Sequence, residues 1–176
     1  MEGEFKIFHK LLPSGKIIEI GCGGGRDAKL ILQSGYKYLG TDISEGMVTE
    51  ARNNNPSGKF EVKSVYDFDY PKNIFDGFWA STSLLHIPKS KIKEALSNIH
   101  RVVRDKGVGF IAIKEGSGEK LDEKDDEVRR FWSYYTLDEF TEVLQKNRFK
   151  IIEKLRKPMS EKTTFLIYFV EVEKNT

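Results

Sequence analysis

The stretch Ile17-Ile18-Glu19-Ile20-Gly21-Cys22-Gly23-Gly24-Gly25-Arg26-Asp27 decides the fold of this 176-residue chain. It begins within the short apolar run Lys16–Ile20, which predicts a buried β-strand. The glycines that follow permit backbone angles and a closeness of ligand approach that other residues disfavour. A strand that runs into a glycine-rich turn and then a helix is typical of the ligand-binding end of an α/β domain.

Outward from this stretch, the apolar pattern predicts an alternation of strands and helices. Predicted strands cover residues 16–20, 36–41, 59–64, 75–80, 107–113, 149–155 and 163–172. Predicted helices cover residues 4–12, 27–34, 44–51, 88–104 and 136–145. The last two strands form a hairpin whose turn is expected at residues 157–160, and residues 115–135 are expected to be a long irregular loop.

This order predicts an α/β fold, a Rossmann-like seven-stranded mostly parallel sheet with helices on both faces and a C-terminal antiparallel hairpin. Residues 1–176 are expected to form a single domain. Ser44 and the pair Thr136 and Glu139 are the predicted N-terminal caps of two of the helices.

The first acidic residue at the end of the second predicted strand is Asp42, which lies about 20 residues after Gly21. At that distance a carboxylate reaches the ribose hydroxyls of a bound nucleotide. A dinucleotide site would need a third glycine at position 26, where Arg26 stands. Asp27 would also repel a phosphate but would suit an ammonium or sulfonium group. The turn therefore favours a cationic nucleoside ligand over a dinucleotide.

Composition sets further limits. The net charge of +2 gives no support for a broad nucleic-acid-binding surface, so a nucleic-acid partner is not expected. The single cysteine, Cys22, excludes a disulfide within the chain and favours a reducing, cytoplasmic location. The histidines lack the spacing of a zinc site, so no metal is predicted, and no apolar run reaches the roughly 20 residues of a membrane span.

Four segments in order resemble the motifs of class I S-adenosylmethionine-dependent methyltransferases. They are residues 18–27, residues 41–47, residues 75–80 and residues 101–108, although the last carries Asp-Lys-Gly where the family usually has Pro-Gly-Gly. The resemblance covers about residues 10 to 155. It implies S-adenosyl-L-methionine as the cofactor and methyl transfer as the reaction, and it leaves the acceptor open.

The resemblance also implies which residues surround the cofactor. Glu19, Gly21, Gly23 and Asp27 should surround its methionine part, with Cys22 in the same turn. Asp42 should hold both ribose hydroxyls, and Ile43 and Met47 should pack on the adenine. After the third strand two alignments stay open, in which Val65 supplies a backbone amide or Asp67 an acid. Ala80, at the end of the fourth strand, completes the set.

Two residues are candidates for catalysis. His86 follows the fourth strand, where it would serve as a base or orient the acceptor, or would simply pack the start of the next helix. Glu115 directly follows the fifth strand and would face the pocket or begin a polar loop. Methyl transfer needs a base only when the acceptor must lose a proton, so neither residue is required by the chemistry.

The loop over residues 115–135 ends in Arg129-Arg130-Phe131-Trp132-Ser133-Tyr134-Tyr135, where cations and aromatic rings are crowded together. It would cover the pocket and hold an anionic or aromatic substrate, or it would form an aromatic plug beneath the loop. A small-molecule acceptor is favoured by the compact chain. An RNA or protein acceptor and a non-catalytic binding module remain the alternatives.

Overall fold

The computed structural model describes residues 2–122 and 130–174. The helices are α1 (Glu2–Leu11), α2 (Ala28–Gln33), α3 (Glu45–Asn54), α4 (Ile92–Val102) and α5 (Leu137–Lys146). The strands are β1 (Lys16–Ile20), β2 (Lys37–Asp42), β3 (Lys59–Val62), β4 (Phe75–Ser81), β5 (Val103–Lys114), β6 (Glu119–Asp122), β7 (Arg130–Ser133), β8 (Phe149–Ser160) and β9 (Thr163–Val172). Two short 3₁₀ turns cover Val65–Asp67 and Leu84–His86.

Seven strands form one sheet in the order β3-β2-β1-β4-β5-β9-β8. Strands β1 to β5 pair in parallel, while β9 runs antiparallel to both β5 and β8. This confirms the predicted fold class. Because β1 lies between β2 and β4, the strand order reverses beside it, and ligands of such sheets bind beyond the carboxyl ends at that point.

Helices cover both faces of this sheet. On one face α1, α2 and α3 bury apolar side chains such as Phe8, Ile31 and Ala51 in a shared core. On the other face α4 and α5 do the same with residues such as Leu96 and Phe140. Within the described parts of the chain, no helix is long and apolar enough to span a membrane.

The predicted helix caps are confirmed. The Ser44 hydroxyl accepts a hydrogen bond from the Met47 amide at 3.3 Å, which begins α3 beside the end of β2. Thr136 and Glu139 form the reciprocal capping box of α5. Both caps satisfy amides that have no partner inside their own helix.

Several predicted boundaries are wrong. The helix predicted to begin at residue 88 begins at Ile92, and the strand predicted to begin at residue 107 begins at Val103. The helix predicted to reach residue 104 ends at Val102, because Val103 turns into β5 and pairs with Phe75. The turn predicted at residues 157–160 instead belongs to β8, and the chain reverses after Ser160. Pro158 is accommodated there because β8 is an edge strand and its register shifts between Pro158 and Ser160.

The segment predicted as an irregular loop contains a second, two-stranded sheet. Its strands β6 and β7 are antiparallel, with Leu121 opposite Phe131 and Lys120 opposite Trp132. The apolar pair Leu121–Phe131 and the oppositely charged pair Asp122–Arg130 at facing positions favour this pairing. Arg129 and the charged residues before it, 123–129, lie outside the described part of the chain.

Candidate functional site

The glycine turn is fastened to the end of β2 by backbone hydrogen bonds. The amides of Gly21 and Cys22 both donate to the Thr41 carbonyl, at 2.8 and 2.9 Å. Gly21 has a φ of +70°, and a Cβ there would lie 2.4 Å from the Cβ of Ser83. This position therefore requires glycine, both for its backbone angle and for the closeness of the segment after β4.

Gly23 and Asp42 form the part of the turn that is open to a ligand. Gly23 has a φ of +52°, and a Cβ added there would meet no atom within 4 Å. Its amide donates to one carboxylate oxygen of Asp42 at 2.9 Å, while the Ser44 amide donates to the other at 2.9 Å. The carboxylate is thus held in one orientation at the end of β2, and each oxygen keeps lone pairs for further donors.

Two exposed apolar side chains lie directly beyond Asp42. Ile43 is 77% exposed and Met47 is 43% exposed. These two side chains form a small exposed apolar surface beside the oriented carboxylate. An apolar ring could pack on this surface.

The other residues predicted around the cofactor differ in what they present. Val65 is buried and Asp67 is exposed, both on the 3₁₀ turn after β3. The Ala80 side chain is buried in the core, so only its backbone is available to a ligand. Cys22 is buried as well, and burial raises the pKa of its thiol to about 12. The thiol therefore stays protonated at neutral pH.

Glu19 is a buried acid at the centre of the site. It lies in β1, is only 3% exposed, and accepts a hydrogen bond from the Tyr38 hydroxyl. Burial raises the pKa of Glu19 to about 8, and the negative charges of Asp27 and Asp42 act in the same direction. At neutral pH this carboxyl group is mostly protonated.

Asp27 is also buried, yet its surroundings favour the charged form. Burial by itself would raise the pKa of Asp27, but hydrogen bonds from Arg26 and Trp79 outweigh it and lower the pKa. The Trp79 indole donates at 3.0 Å and the Arg26 guanidinium at 2.8 and 3.1 Å. Arg26 also donates to Ser81 at 3.3 Å, which joins the glycine turn to the end of β4.

His86 lies at the end of the 3₁₀ turn that follows β4. Its Nδ1 is 2.8 Å from the Phe131 carbonyl oxygen, and its ring packs edge-on against Trp132 with centroids 4.6 Å apart. Because a carbonyl only accepts, Nδ1 carries the proton of this bond and Nε2 of the neutral ring keeps its lone pair. Burial lowers the pKa of His86, and the charges of Arg130 and Lys114 lower it further.

Glu115 has a different environment from the one expected of a free base. Both of its carboxylate oxygens bind Arg156 of β8, through three hydrogen bonds of 2.7 to 3.1 Å. Taking a proton would require Glu115 to give up this bidentate pair. Among the described residues, the His86 Nε2 has no hydrogen-bond partner, whereas the Glu115 carboxylate is bound by Arg156.

Several residues around the site were not predicted from the sequence. Tyr38 reaches Glu19 because Gly40, which faces Glu19 in the β1–β2 register, leaves room for the phenol. A glycine inside a predicted strand was the available signal for this close approach. The Ser83 hydroxyl, next to the glycine turn, is buried without a hydrogen-bond partner among the described residues. The sequence carried no comparable signal for Ser83.

A family model and several known proteins are similar to this chain in sequence. A family model described as a methyltransferase domain matches residues 17–107. The malonyl-[acyl-carrier protein] O-methyltransferase of Salmonella typhimurium is 26% identical over 102 residues, which are 57% of this chain and 40% of that protein. The chain aligns with less than half the length of the first curated relatives that it matches.

Two solved structures share the fold. An S-adenosylmethionine-dependent methyltransferase of Methanosarcina mazei superimposes with a TM-score of 0.83 at 19% identity, over 96% of this chain and 98% of that one. The 1,6-didemethyltoxoflavin-N1-methyltransferase of Burkholderia thailandensis, solved with bound 1,6-didemethyltoxoflavin and S-adenosylhomocysteine, gives a TM-score of 0.80 at 22% identity. The alignment with the latter covers 96% of this chain and 76% of that one.

Proposed function

Because the chain belongs to the methyltransferase domain family, we propose that it is an S-adenosylmethionine-dependent methyltransferase that acts on a small molecule. The observation that carries the proposal is the Asp42 carboxylate, which is held by the amides of Gly23 and Ser44 beside an open glycine turn. The names of the Salmonella and Burkholderia proteins support a methyl-transfer reaction, and the small ligand of the Burkholderia protein supports a small acceptor.

The site has features that fit this cofactor. Gly23 leaves an open cradle, and the Ser83 hydroxyl, which has no hydrogen-bond partner in the described part of the chain, lies against the same turn. Asp42 would accept from the ribose hydroxyls, and Ile43 and Met47 would cover the adenine. The residues proposed to line the rest of the cofactor site are Glu19, Gly21, Cys22, Gly23, Asp27, Val65, Asp67 and Ala80.

When bound, S-adenosylmethionine supplies a methyl carbon on a positively charged sulfur, which keeps the carbon–sulfur electron pair as the acceptor bonds to carbon. The chain's contribution is to hold the acceptor in line with that carbon, which supplies much of the rate. His86 is proposed as the group that takes a proton from the acceptor or orients it, through its free Nε2. Glu115, bound by Arg156, is proposed to act only if that pair opens.

A location in the cytoplasm is part of the same proposal. The lone thiol of Cys22 is buried and protonated, and chains with no possible internal disulfide are typical of reducing compartments.

Calorimetry on the Asp42→Ala variant tests the proposed function. We expect wild-type protein to bind S-adenosylmethionine and S-adenosylhomocysteine, and to prefer both to NAD. The variant should bind more weakly by about 1–3 kcal/mol, because the ribose hydroxyls lose a charged acceptor.

The control for this experiment is Asp105→Ala. Asp105 accepts from the Lys174 amide near the amino end of β5, whereas the glycine turn lies at the carboxyl end of β1. This variant should bind like wild type. Tighter binding of NAD, or an Asp42→Ala dissociation constant equal to that of wild type, would contradict the proposal.

A further inference from the structure

A lysine, a tryptophan and a histidine meet at the carboxyl end of β5. The Lys114 ammonium lies 3.9 Å from the centre of the Trp132 ring, and the His86 ring packs on the same tryptophan. We call Lys114, Trp132 and His86 the acceptor-side cluster. Lys114 ends β5, Trp132 lies in β7, and His86 ends the 3₁₀ turn after β4. Ser83, which lies against the glycine turn, directly precedes that 3₁₀ turn.

The positive charge of Lys114 is not balanced by an ion pair with any carboxylate in the described ranges 2–122 and 130–174. The nearest acidic residue along the chain, Glu115, is committed to Arg156. Glu119 accepts from the Lys89 amide at 2.7 Å and from the Ser133 hydroxyl at 3.3 Å.

Other charges in the region are arranged differently. Arg130 faces Asp122 across the β6–β7 pair. Lys89 also lies over an aromatic ring, 4.5 Å from the centre of Tyr135, but its ammonium is paired with Glu139 at 2.7 Å. Asp42 acts on His86 from the cofactor side, where its own oxygens are held by two amides. Among these described cations, Lys114 is half-buried, fixed against an aromatic ring and without a paired carboxylate, whereas Arg130 is exposed. Lys114 is therefore placed to bind an anion from outside the protein.

The aromatic contact explains how such a charge is kept in place. The face of an indole ring attracts an ammonium and fixes its position, but it supplies no counter-charge and no hydrogen-bond acceptor. Lys114 is half-buried, so less water screens its charge than on an open surface. A lysine held in this way keeps donors free for a carboxylate or phosphate.

We propose that the methyl acceptor carries an anionic group, a carboxylate or a phosphate, which Lys114 binds beside the face of Trp132. The inference rests on the proposed function, since it assigns the substrate class of the same site. Bound there, the anion lies beside His86, and the rest of the acceptor extends towards the glycine turn. A cationic acceptor is disfavoured by the same charge.

Binding of a matched pair of probes tests the inference. Benzoate and benzamide have the same shape and differ in charge, and phenyl phosphate separates a phosphate preference from a carboxylate preference. Calorimetry with and without S-adenosylhomocysteine should show that wild type binds an anionic probe at least about tenfold more tightly than benzamide, the effect of one charged contact.

Variants identify the residue responsible. Lys114→Met should lose the preference for the anion, and Lys114→Arg should retain most of it. Lys89→Met is the matched control. It also removes a lysine that lies over an aromatic ring in the same region, but the charge of Lys89 is already paired with Glu139. Nuclear magnetic resonance of His86 gives a second readout: its pKa should rise when the anion binds, and should rise in Lys114→Met.

The outcomes separate this inference from the function on which it rests. A preference for the anion that persists in Lys114→Met, equal binding of benzoate and benzamide, or no saturable binding of either anion would overturn the inference. The wild-type comparison decides the matter even if Lys114→Met does not fold. Wild type that binds no S-adenosylhomocysteine but selects the anion through Lys114 would overturn the proposed cofactor and retain the anion site.

Discussion

Replacing Glu19 with glutamine is expected to stabilise the protein at neutral pH and to leave its stability near pH 4 unchanged. Glu19 is almost fully buried, and its pKa of about 8 lies well above the 4.5 of an exposed glutamate. Below pH 4.5 the carboxyl group is protonated in both the folded and the unfolded chain. Between pH 4.5 and 8 the folded chain holds a proton that the unfolded chain releases, so the stability of the wild type falls as pH rises.

The size of the effect follows from the two pKa values. Each pH unit between them costs about 1.4 kcal/mol, so at pH 7 the wild type has lost about 3 kcal/mol that a neutral side chain would keep. Glutamine has the shape of the protonated acid and can still accept from the Tyr38 hydroxyl. For a chain of this length, about 3 kcal/mol corresponds to a rise in Tm of roughly 6–12 °C.

Thermal and urea unfolding of wild type and Glu19→Gln from pH 4 to 8 measure this difference. The gain should be absent at pH 4 and grow steadily to pH 7. Glu61→Gln is the matched control, since Glu61 also accepts from a tyrosine hydroxyl, that of Tyr70, but is only half-buried. A gain for Glu19→Gln that does not vary with pH, or an equal gain for Glu61→Gln, would refute the argument that burial keeps Glu19 protonated.

Three further predictions concern the turn, the candidate base and the β6–β7 segment. Gly21→Ala should lower the Tm more than Gly23→Ala. Both positions have a positive φ, which costs a side chain about 1–2 kcal/mol, but only at Gly21 would the new Cβ also clash, 2.4 Å from the Ser83 Cβ. Equal losses of stability would contradict this. With His86 as the base, His86→Asn should lower kcat by at least about 100-fold. The kcat of the wild type should fall only below pH 6.5, because burial lowers the pKa of His86 from that value. A variant kcat within threefold of wild type would exclude this role. Hydrogen exchange at residues 115–122 and 130–135 should slow when S-adenosylhomocysteine and an acceptor bind, whereas equal protection in both states would make the segment a fixed scaffold.

The sequence was informative where one local pattern determines one local structure. A short apolar run before Gly21 predicted β1 to the residue. The ribose-binding role of Asp42 stays a prediction, although its carboxylate accepts from the Gly23 amide. The Ser44 cap, the capping box of α5 and the terminal strand Thr163–Val172 were also visible, because their signals lie within a few residues.

The sequence was uninformative where the outcome depends on contacts between distant segments. Val103 is buried whether α4 continues or β5 begins, so its apolar character could not decide between them. The pairing of Glu115 with Arg156 joins residues that are far apart in the chain, and nothing near Glu115 indicated it. The same holds for the carbonyl of Phe131, which fixes the tautomer of His86.

The two sides of the candidate site carry opposite charges, and the sheet order accounts for this. Asp42 follows β2 on one side of the point where the strand order reverses. On that side Asp27 is paired with Arg26 and Glu19 is mostly protonated, so the negative charge comes from Asp42. Lys114 ends β5 on the other side, with His86 between. A cationic methyl donor is attracted by the acidic side, and an anionic acceptor by the basic side. The same arrangement disfavours binding of the methyl donor at the basic side and of the acceptor at the acidic side. The charge pattern therefore orients the methyl donor and the acceptor relative to each other before the reaction begins.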